Sequence, residues 1–547
     1  MRSLLLLLAV AVWPAARAAD PAAKASEPNQ ACLDCHEVQK PGEDDAVGRQ
    51  GVVAAAFRKS VHENLSCTDC HVDYQASGPH ELPPLSGDDA ALVERLSRQS
   101  KSPRAYLACS NCHDAMDRLR RSVHGRWLVA ERPAAGPTCT SCHGSPHQVL
   151  RAEGQTDRER SASPEGRARS RRCETCHDDP KFAASAGLQP EIGLTYRDSI
   201  HGRLVAVGSN RAPGCADCHG SHGIVSKADP TSPVASANRA STCGKCHPGA
   251  NDTFASLISH RPLHVDRRSP IPHFVHVAFS WLTTLTLLFF AFHVFIDSVY
   301  ELRQRLKRRK EHASHPDETQ TVVRFDLHQR IQHWLMLTGV ILLGLTGWPL
   351  RGAGSPEAIE SSRRFLALFG GPHGAGLVHR IAAGMIMVSG VYHLLYLTFL
   401  ASKKRLPMSM APVPKDAFDI RDNILFLLGL RKERPQFDRY MYLEKFDYWA
   451  VFWGMIMMAG SGLIFWFPVF FSRFLPSWVL TAAQIIHGEE ATLAILFLFT
   501  VHFYNVHLKP SIFPMNWAWL NGRITVETLK EEHPLEYQRT VGKKGSP

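Results

Sequence analysis

A chain of 547 residues exceeds what one hydrophobic core usually serves, so two or more domains are expected. Its formal net charge of +11 would suit nucleic acid, but no nucleic-acid motif accompanies it. Much of the charge flanks apolar runs, the juxtamembrane pattern, which excludes nucleic acid as the partner and points to membrane lipid. A mean hydropathy of −0.16 averages two unlike parts: a polar one, rich in Cys, His and Arg, up to about His264, and one of long apolar runs from Phe274 onward.

The N-terminus is MRSLLLLLAVAVWPAARAAD. Arg2 supplies a charged start, Leu4 to Val12 an apolar stretch, and Ala16-Arg17-Ala18 small residues where a peptidase would cut. Residues 1–18 are expected to be a secretory signal peptide, too short to span a bilayer; an uncleaved anchor is the alternative. Either way the polar part is exported.

An exported chain with 14 Cys ordinarily forms disulfides. Here the spacing points elsewhere. The pairs Cys32 and Cys35, Cys67 and Cys70, Cys109 and Cys112, Cys139 and Cys142, Cys173 and Cys176, Cys215 and Cys218, and Cys243 and Cys246 each lie in a Cys-x-x-Cys-His unit. The units end in His36, His71, His113, His143, His177, His219 and His247, and they use every Cys. This is the attachment signature of c-type haem: two thiols bond the porphyrin and the adjacent His becomes an axial ligand. A zinc site does not require a His directly after the second Cys. Seven haem c groups are therefore expected.

A weak repeat of roughly 70 residues organises the region as three haem pairs and a seventh haem. Ser60-Val61-His62, Ser122-Val123-His124 and Ser199-Ile200-His201 each fall between two units, and His80, His147 or His222 follows the second unit of each pair. These histidines, with His260 or His264, are the candidate sixth ligands. His147 and His222 lie too near their own proximal His to reach the opposite haem face, so each is expected to serve a neighbouring haem. A haem with two protein ligands transfers electrons, whereas one with an open position binds substrate. The supply of distal His favours transfer, no unit is Cys-x-x-Cys-Lys, and no catalytic residue is assigned. Apolar periodicity is poor, so the haems themselves must form the core, with little regular structure around them. Arg158 to Arg172 reads as a solvated basic loop.

Five apolar spans follow, near Phe274–Val299, Ile331–Leu350, Gly376–Leu400, Tyr448–Phe471 and Val479–Val506. Basic residues Arg303 to Lys310 and Lys403 to Arg405 place the loops after spans one and three in the cytoplasm, leaving the haem domain outside. Histidines inside spans are functional by default. His379 and His487 fall at the outer level, His333 and His502 at the inner. His487 and His502 are 15 residues apart, roughly 22 Å along a helix and about 60° around it, so one helix presents both inward. Two haem b groups follow, one at each level. His276 is a further candidate ligand for the last c haem, and His293 and His393 are rivals to His333. Glu489 and Glu490 are expected to be solvated interface residues, with proton handling as the alternative.

Asp326 to Trp348, Val378-His379-Arg380, Glu444 to Trp449 and Ile485-Ile486-His487 resemble the cytochrome b (gamma) subunits of respiratory formate dehydrogenases. The cytochrome b subunits of thiosulfate reductase and Ni-hydrogenase are similar. The resemblance covers roughly residues 321–535. It implies a four-helix dihaem cytochrome b with a quinone site near the cytoplasmic haem, and it matches His333, His379, His487 and His502 to the ligand positions. The spacing from His487 to His502 is one residue longer than in that family, and an Asn of its quinone site falls at Met441. The whole layout is similar to the fused b/c quinone oxidoreductases of metal-respiring bacteria.

The expected architecture is mainly α: signal peptide 1–18, periplasmic heptahaem c domain 19–265, an extra transmembrane helix with a basic linker 266–315, a four-helix b domain 316–520 and a cytoplasmic tail 521–547. The expected function is electron transfer between the (mena)quinone pool and periplasmic or outer-membrane multihaem cytochromes. The chain would sit in the bacterial inner membrane and, as an enzyme, would be a quinol:cytochrome c-type oxidoreductase. Alternatives are a membrane subunit wired to a separate periplasmic dehydrogenase or reductase, and a terminal reductase with one open haem.

Overall fold

The computed structural model describes residues 29–41, 43–44, 51–71, 109, 112–129, 137–150, 164–189, 191–257, 260, 270–310, 320–406 and 408–541. The expected signal peptide, His80 and His264 lie outside the described residues. Packing divides the chain into two units: residues 1–188 with 213–238, and residues 189–212 with 239–547. The second unit thus includes the seventh Cys-x-x-Cys-His motif together with the membrane helices, where the sequence suggested a break near residue 265.

In the first unit the described helices are short. Cys67–Cys70, Cys139–His143 and Cys215–His219 are single turns. A backbone donor before each turn bonds a side chain three residues on: Ser66 to Asp69 at 2.8 Å, Thr138 to Ser141 at 3.0 Å, Gly214 to Asp217 at 2.7 Å. The His amide closes the turn on the first Cys carbonyl, as from His71 to Cys67 at 2.9 Å. Spacings of three and four residues put both thiols and the imidazole on one helix face. The basic stretch expected as a loop is helical from Pro164 and runs directly into the fifth unit as helix Pro164–His177. Proline suits a first helical turn, and Glu165, Ala168 and the arginines favour its continuation.

The Ser-x-His elements at Ser122 and Ser199 are bends between paired helices. Ala115–Arg121 meets Val123–Val129 at Ser122. The Ser122 hydroxyl donates to the Leu119 carbonyl at 2.6 Å and accepts from the Gly125 amide at 3.0 Å. A Cβ on Gly125 would fall 1.8 Å from the Leu119 oxygen, so the bend requires glycine after the histidine. Successive repeats are joined through backbone bonds of 2.8 Å, from Val61 to the Val149 carbonyl and from Val123 to the Ile224 carbonyl.

In the second unit, Ile192–Asp198 and Ile200–Ala206 bend in the same way at Ser199. Five described helices are long and apolar enough to cross a membrane: Pro270–Lys307, Leu327–Gly352, Gly371–Ser402, Tyr442–Trp466 and Ser477–Leu508. The fourth stops short of the expected Phe471 because Pro468 drives Phe467 out of helical conformation, at φ −125° and ψ 53°. The second span packs along the third, the fourth along the fifth, and the first joins against the fifth. Phe290, Phe497 and Val501 fill that last seam. Large apolar side chains such as Leu288, Leu395 and Phe499 are exposed, as suits a bundle whose solvent is lipid.

The two ends of the bundle differ. At one, antiparallel strands Thr321–Val323 and Arg523–Thr525 cover a buried ionic cluster. Its Arg324, 4% exposed, pairs with Glu536 at 2.8 Å. At the other end, Val207 is buried with Ala353, Leu366 and Ala375. That contact is why residues 189–212 belong to the second unit rather than to the first.

Candidate haem sites

Two imidazoles ligating one iron from opposite faces, each with a metal–nitrogen bond of about 2 Å, put their ring centres roughly 6 Å apart. The structure places five such pairs among the described residues of the polar part. In the first unit His62 faces His113 at 6.2 Å, His147 faces His71 at 6.3 Å, His124 faces His177 at 6.2 Å and His222 faces His143 at 5.8 Å. In the second, His201 faces His247 at 6.1 Å. The Ser-x-His histidine of one repeat therefore meets the first unit of the next, or the final unit. The histidine that follows a pair meets the second unit of the preceding repeat. His260 lies beside Tyr196, with its Nδ1 3.3 Å from the Ile192 carbonyl.

Burial holds several of these rings neutral, the state in which imidazole ligates metal. His147 is pushed down to about 4 by burial and by the nearby His71 and His62. His201 is also pushed down to about 4, by burial and then His247. None of the cysteines is joined in a disulfide. Their thiols instead group between motifs. Cys67 hydrogen-bonds Cys32, Cys109 hydrogen-bonds Cys139, and Cys215 hydrogen-bonds Cys173. Cys70 senses Cys109, and Cys142 senses Cys173. The first six motifs thus adjoin one another in chain order.

Within the membrane bundle, His379 on the third span and His487 on the fifth face each other at 6.5 Å. Their Nδ1 atoms meet Thr346 Oγ1 at 2.9 Å and Ser461 Oγ at 3.0 Å. Each hydroxyl already donates at 2.6 Å to a carbonyl four residues back, Leu342 or Met457. It must therefore accept the Nδ1 proton, which fixes the tautomer and leaves Nε2 as the metal-binding lone pair. Gly347 and Gly462 follow the two hydroxyl residues, and a Cβ on either would stand 3.2 or 3.3 Å from the imidazole Cε1. These features fit a planar group between the rings. The sequence signal for them, a hydroxyl residue followed by glycine in two apolar spans, was overlooked.

At the opposite end, His502 Nδ1 bonds Asp447 at 2.6 Å. His333 lies within electrostatic reach of both residues and beside Trp519. Between His487 and His502 the fifth span contains a π-helical turn at Leu498–His502, and a second follows at Tyr504–Leu508. A π turn inserts a residue without ending the helix.

The rival histidines are engaged otherwise. His393 uses both ring nitrogens, with Gln332 and with Tyr448, each at 2.8 Å. His293 bonds Tyr442 at 2.6 Å. His276 lies 3.6 Å from Glu489, while His201 is the ring opposite His247. Glu490 is not solvated: it is 6% exposed, and its carboxylate stands 2.9 Å from where a Cβ on Gly454 would be. Glycine at 454 makes the room. Met441 caps the fourth span, its amide donating to Glu444 at 2.8 Å.

The seventh motif sits at the His379/His487 end. A Cβ on Gly249, two residues past His247, would lie 3.8 Å from Val469 and 3.5 Å from Arg473, in the turn between the fourth and fifth spans.

Residues 324–513 match the family model described as prokaryotic cytochrome b561. The cytochrome b556(fdo) subunit of formate dehydrogenase from Escherichia coli K12 is 24% identical over 225 residues, 40% of this chain and 92% of that subunit. The corresponding subunits of Escherichia coli O6:H1 and O157:H7 match equally. These matches support a b-type cytochrome in the membrane half, of the kind that carries electrons in membranes. The family-model match, at residues 324–513, does not extend over the Cys-x-x-Cys-His region.

Proposed function

We propose that the chain carries electrons between the quinol pool and periplasmic cytochromes through two b haems and seven c haems. Covalent haem would be held by the seven Cys-x-x-Cys-His units, with His62, His124, His147, His201 and His222 as sixth ligands opposite the rings they face. One b haem would lie between His379 and His487, the other between His333 and His502. Bound haem iron supplies one-electron chemistry. The protein's part is to fix His379, His487 and His502 through Thr346, Ser461 and Asp447 and to exclude water with the bundle.

The observation that carries this reading is the place of the seventh motif. His201 and His247 stand on the end of the bundle that holds His379 and His487, so the last c haem and one b haem become neighbours. Basic residues after spans one and three put the other end in the cytoplasm. Quinol would then react near His333 and His502, and electrons would leave outward. The test is pyridine haemochrome analysis with acid-acetone extraction of the purified membrane protein, followed by quinol titration. Seven covalent and two extractable haems, all reducible by quinol, are expected. Absence of extractable haem, or c haems that quinol cannot reduce, would overturn the reading.

A further inference from the structure

Arg203 lies two residues beyond His201, and its guanidinium rests on the turn that ends the second span. A Cβ on Gly354 would be 3.4 Å from its Nε and 3.5 Å from its Nη2. That Nε is buried and has no hydrogen-bond partner. Arg351 is near enough for its charge to oppose that of Arg203, though Asp198 attracts Arg203 more strongly than Arg351 repels it. Arg351 in turn reaches the fifth span. Its Nη1 is 2.8 Å from where a Cβ on Gly488 would be, the residue after His487, and its Nη2 is 3.3 Å from Glu489 Oε1. His276 shares that carboxylate at 3.6 Å. Asp198 and Glu489 each offset one of the two guanidiniums, but the buried Nε of Arg203 is met by neither, and an unmet buried donor costs free energy unless an acceptor lies against it.

We propose that Arg203 and Arg351 seat a propionate of the haem held by His379 and His487. The segment 189–212, outside the part that resembles a cytochrome b, thereby contributes a cation to the membrane-bound cofactor. This rests on the reading above. Guanidinium suits the role because its planar fork binds a carboxylate with two parallel hydrogen bonds. A cation beside the haem also favours its reduced, less positive state. The Val207 contact with Ala353 and Leu366 holds the helix of Arg203 in place. The c-type part would then tune the potential of the b centre that it exchanges electrons with.

The test uses full-length protein in membranes, as Arg203→Gln, Arg351→Gln and Arg203→Lys variants. Haem is first counted by extraction; redox titration then follows the b and c visible bands separately. Redox-difference infrared spectra follow the propionate carboxylate. Both Gln variants should lower the midpoint potential of one b centre and move the propionate band, with the seven c haems retained. Arg203→Lys should keep the b haem with an intermediate potential, even if Arg203→Gln loses it. Unchanged b potentials and band would overturn the proposal, as would a Lys variant no better than Gln. A shift confined to a c centre would assign the carboxylate to the seventh c haem and equally overturn it. Wild-type protein without extractable haem would instead remove the reading beneath it.

Discussion

Replacing His222 or His124 by alanine gives the sharpest test of the ring pairs, because the two histidines differ in geometry as well as address. His222 and His143 are nearly parallel, with ring planes 8° apart, and His147 and His71 are 19° apart. His124 and His177 are crossed at 63°, and His62 and His113 at 71°. Parallel imidazoles donate into the same iron d orbital and split the pair, giving a rhombic low-spin spectrum. Crossed imidazoles donate into both and leave a highly anisotropic one. Low-temperature electron paramagnetic resonance of the oxidised protein should therefore show both classes. His222→Ala should remove one rhombic signal, and His124→Ala one highly anisotropic signal. Each should create one high-spin centre among the seven c haems expected from the motifs. The high-spin centre in His124→Ala should disappear when Cys173 and Cys176 are also replaced, since that deletes the fifth haem. Loss of the same signal class in both variants would refute the pairing, as would a high-spin centre that survives loss of the fifth haem.

Other consequences concern the bundle. Asp447→Asn removes the carboxylate on His502 and should weaken that b site roughly 10- to 100-fold, read as loss of one of two extractable haems with the covalent haem unchanged. Gly462→Leu fills the space beside His487, where even a Cβ would be 3.3 Å from the ring, and should cost the other extractable haem; two retained haems would exclude the slot. In oriented vesicles, electrons moving from the cytoplasmic end outward gain about 2.3 kcal/mol per 100 mV. Collapsing the potential should thus lower steady-state c-haem reduction by quinol, and an unchanged level would place the quinol reaction at the His379/His487 end.

What was legible in the sequence is what chemistry confines to a short stretch. Two thiols and an imidazole spaced within one helical turn share a face by helix geometry alone, so the arrangement of the Cys-x-x-Cys-His units can be read without a fold. A membrane span needs an uninterrupted apolar run, so the five helices could be read as well. Which distal ring meets which unit was hidden because partners such as His147 and His71 belong to different repeats and are joined only by packing. The basic stretch before Cys173 was misread because charge alone does not distinguish a loop from a helix. Glu490 was misread because the space for it is made by Gly454, on another helix.

The bundle also contains an internal repetition that the sequence conceals. Thr346-Gly347 on the second span serves His379 on the third, and Ser461-Gly462 on the fourth serves His487 on the fifth. Both histidines face one site, so that site uses the two helix pairs equivalently. Thirteen residues before Thr346 is His333, and thirteen before Ser461 is Tyr448. Fourteen residues after His379 is His393, the counterpart of His502, which lies 15 after His487 with the π turn at Leu498–His502 taking up the difference. At the other end, then, one pair of equivalent positions carries His333 and His502, and the other carries Tyr448 and His393, bonded to each other at 2.8 Å. A bundle of this repetition could carry two ligand pairs there; tying His393 to Tyr448 and Gln332 leaves one. The added residue before His502 obscures the equivalence in a simple spacing count. That is why His393 looked like a competitor for His333, when its position is that of His502.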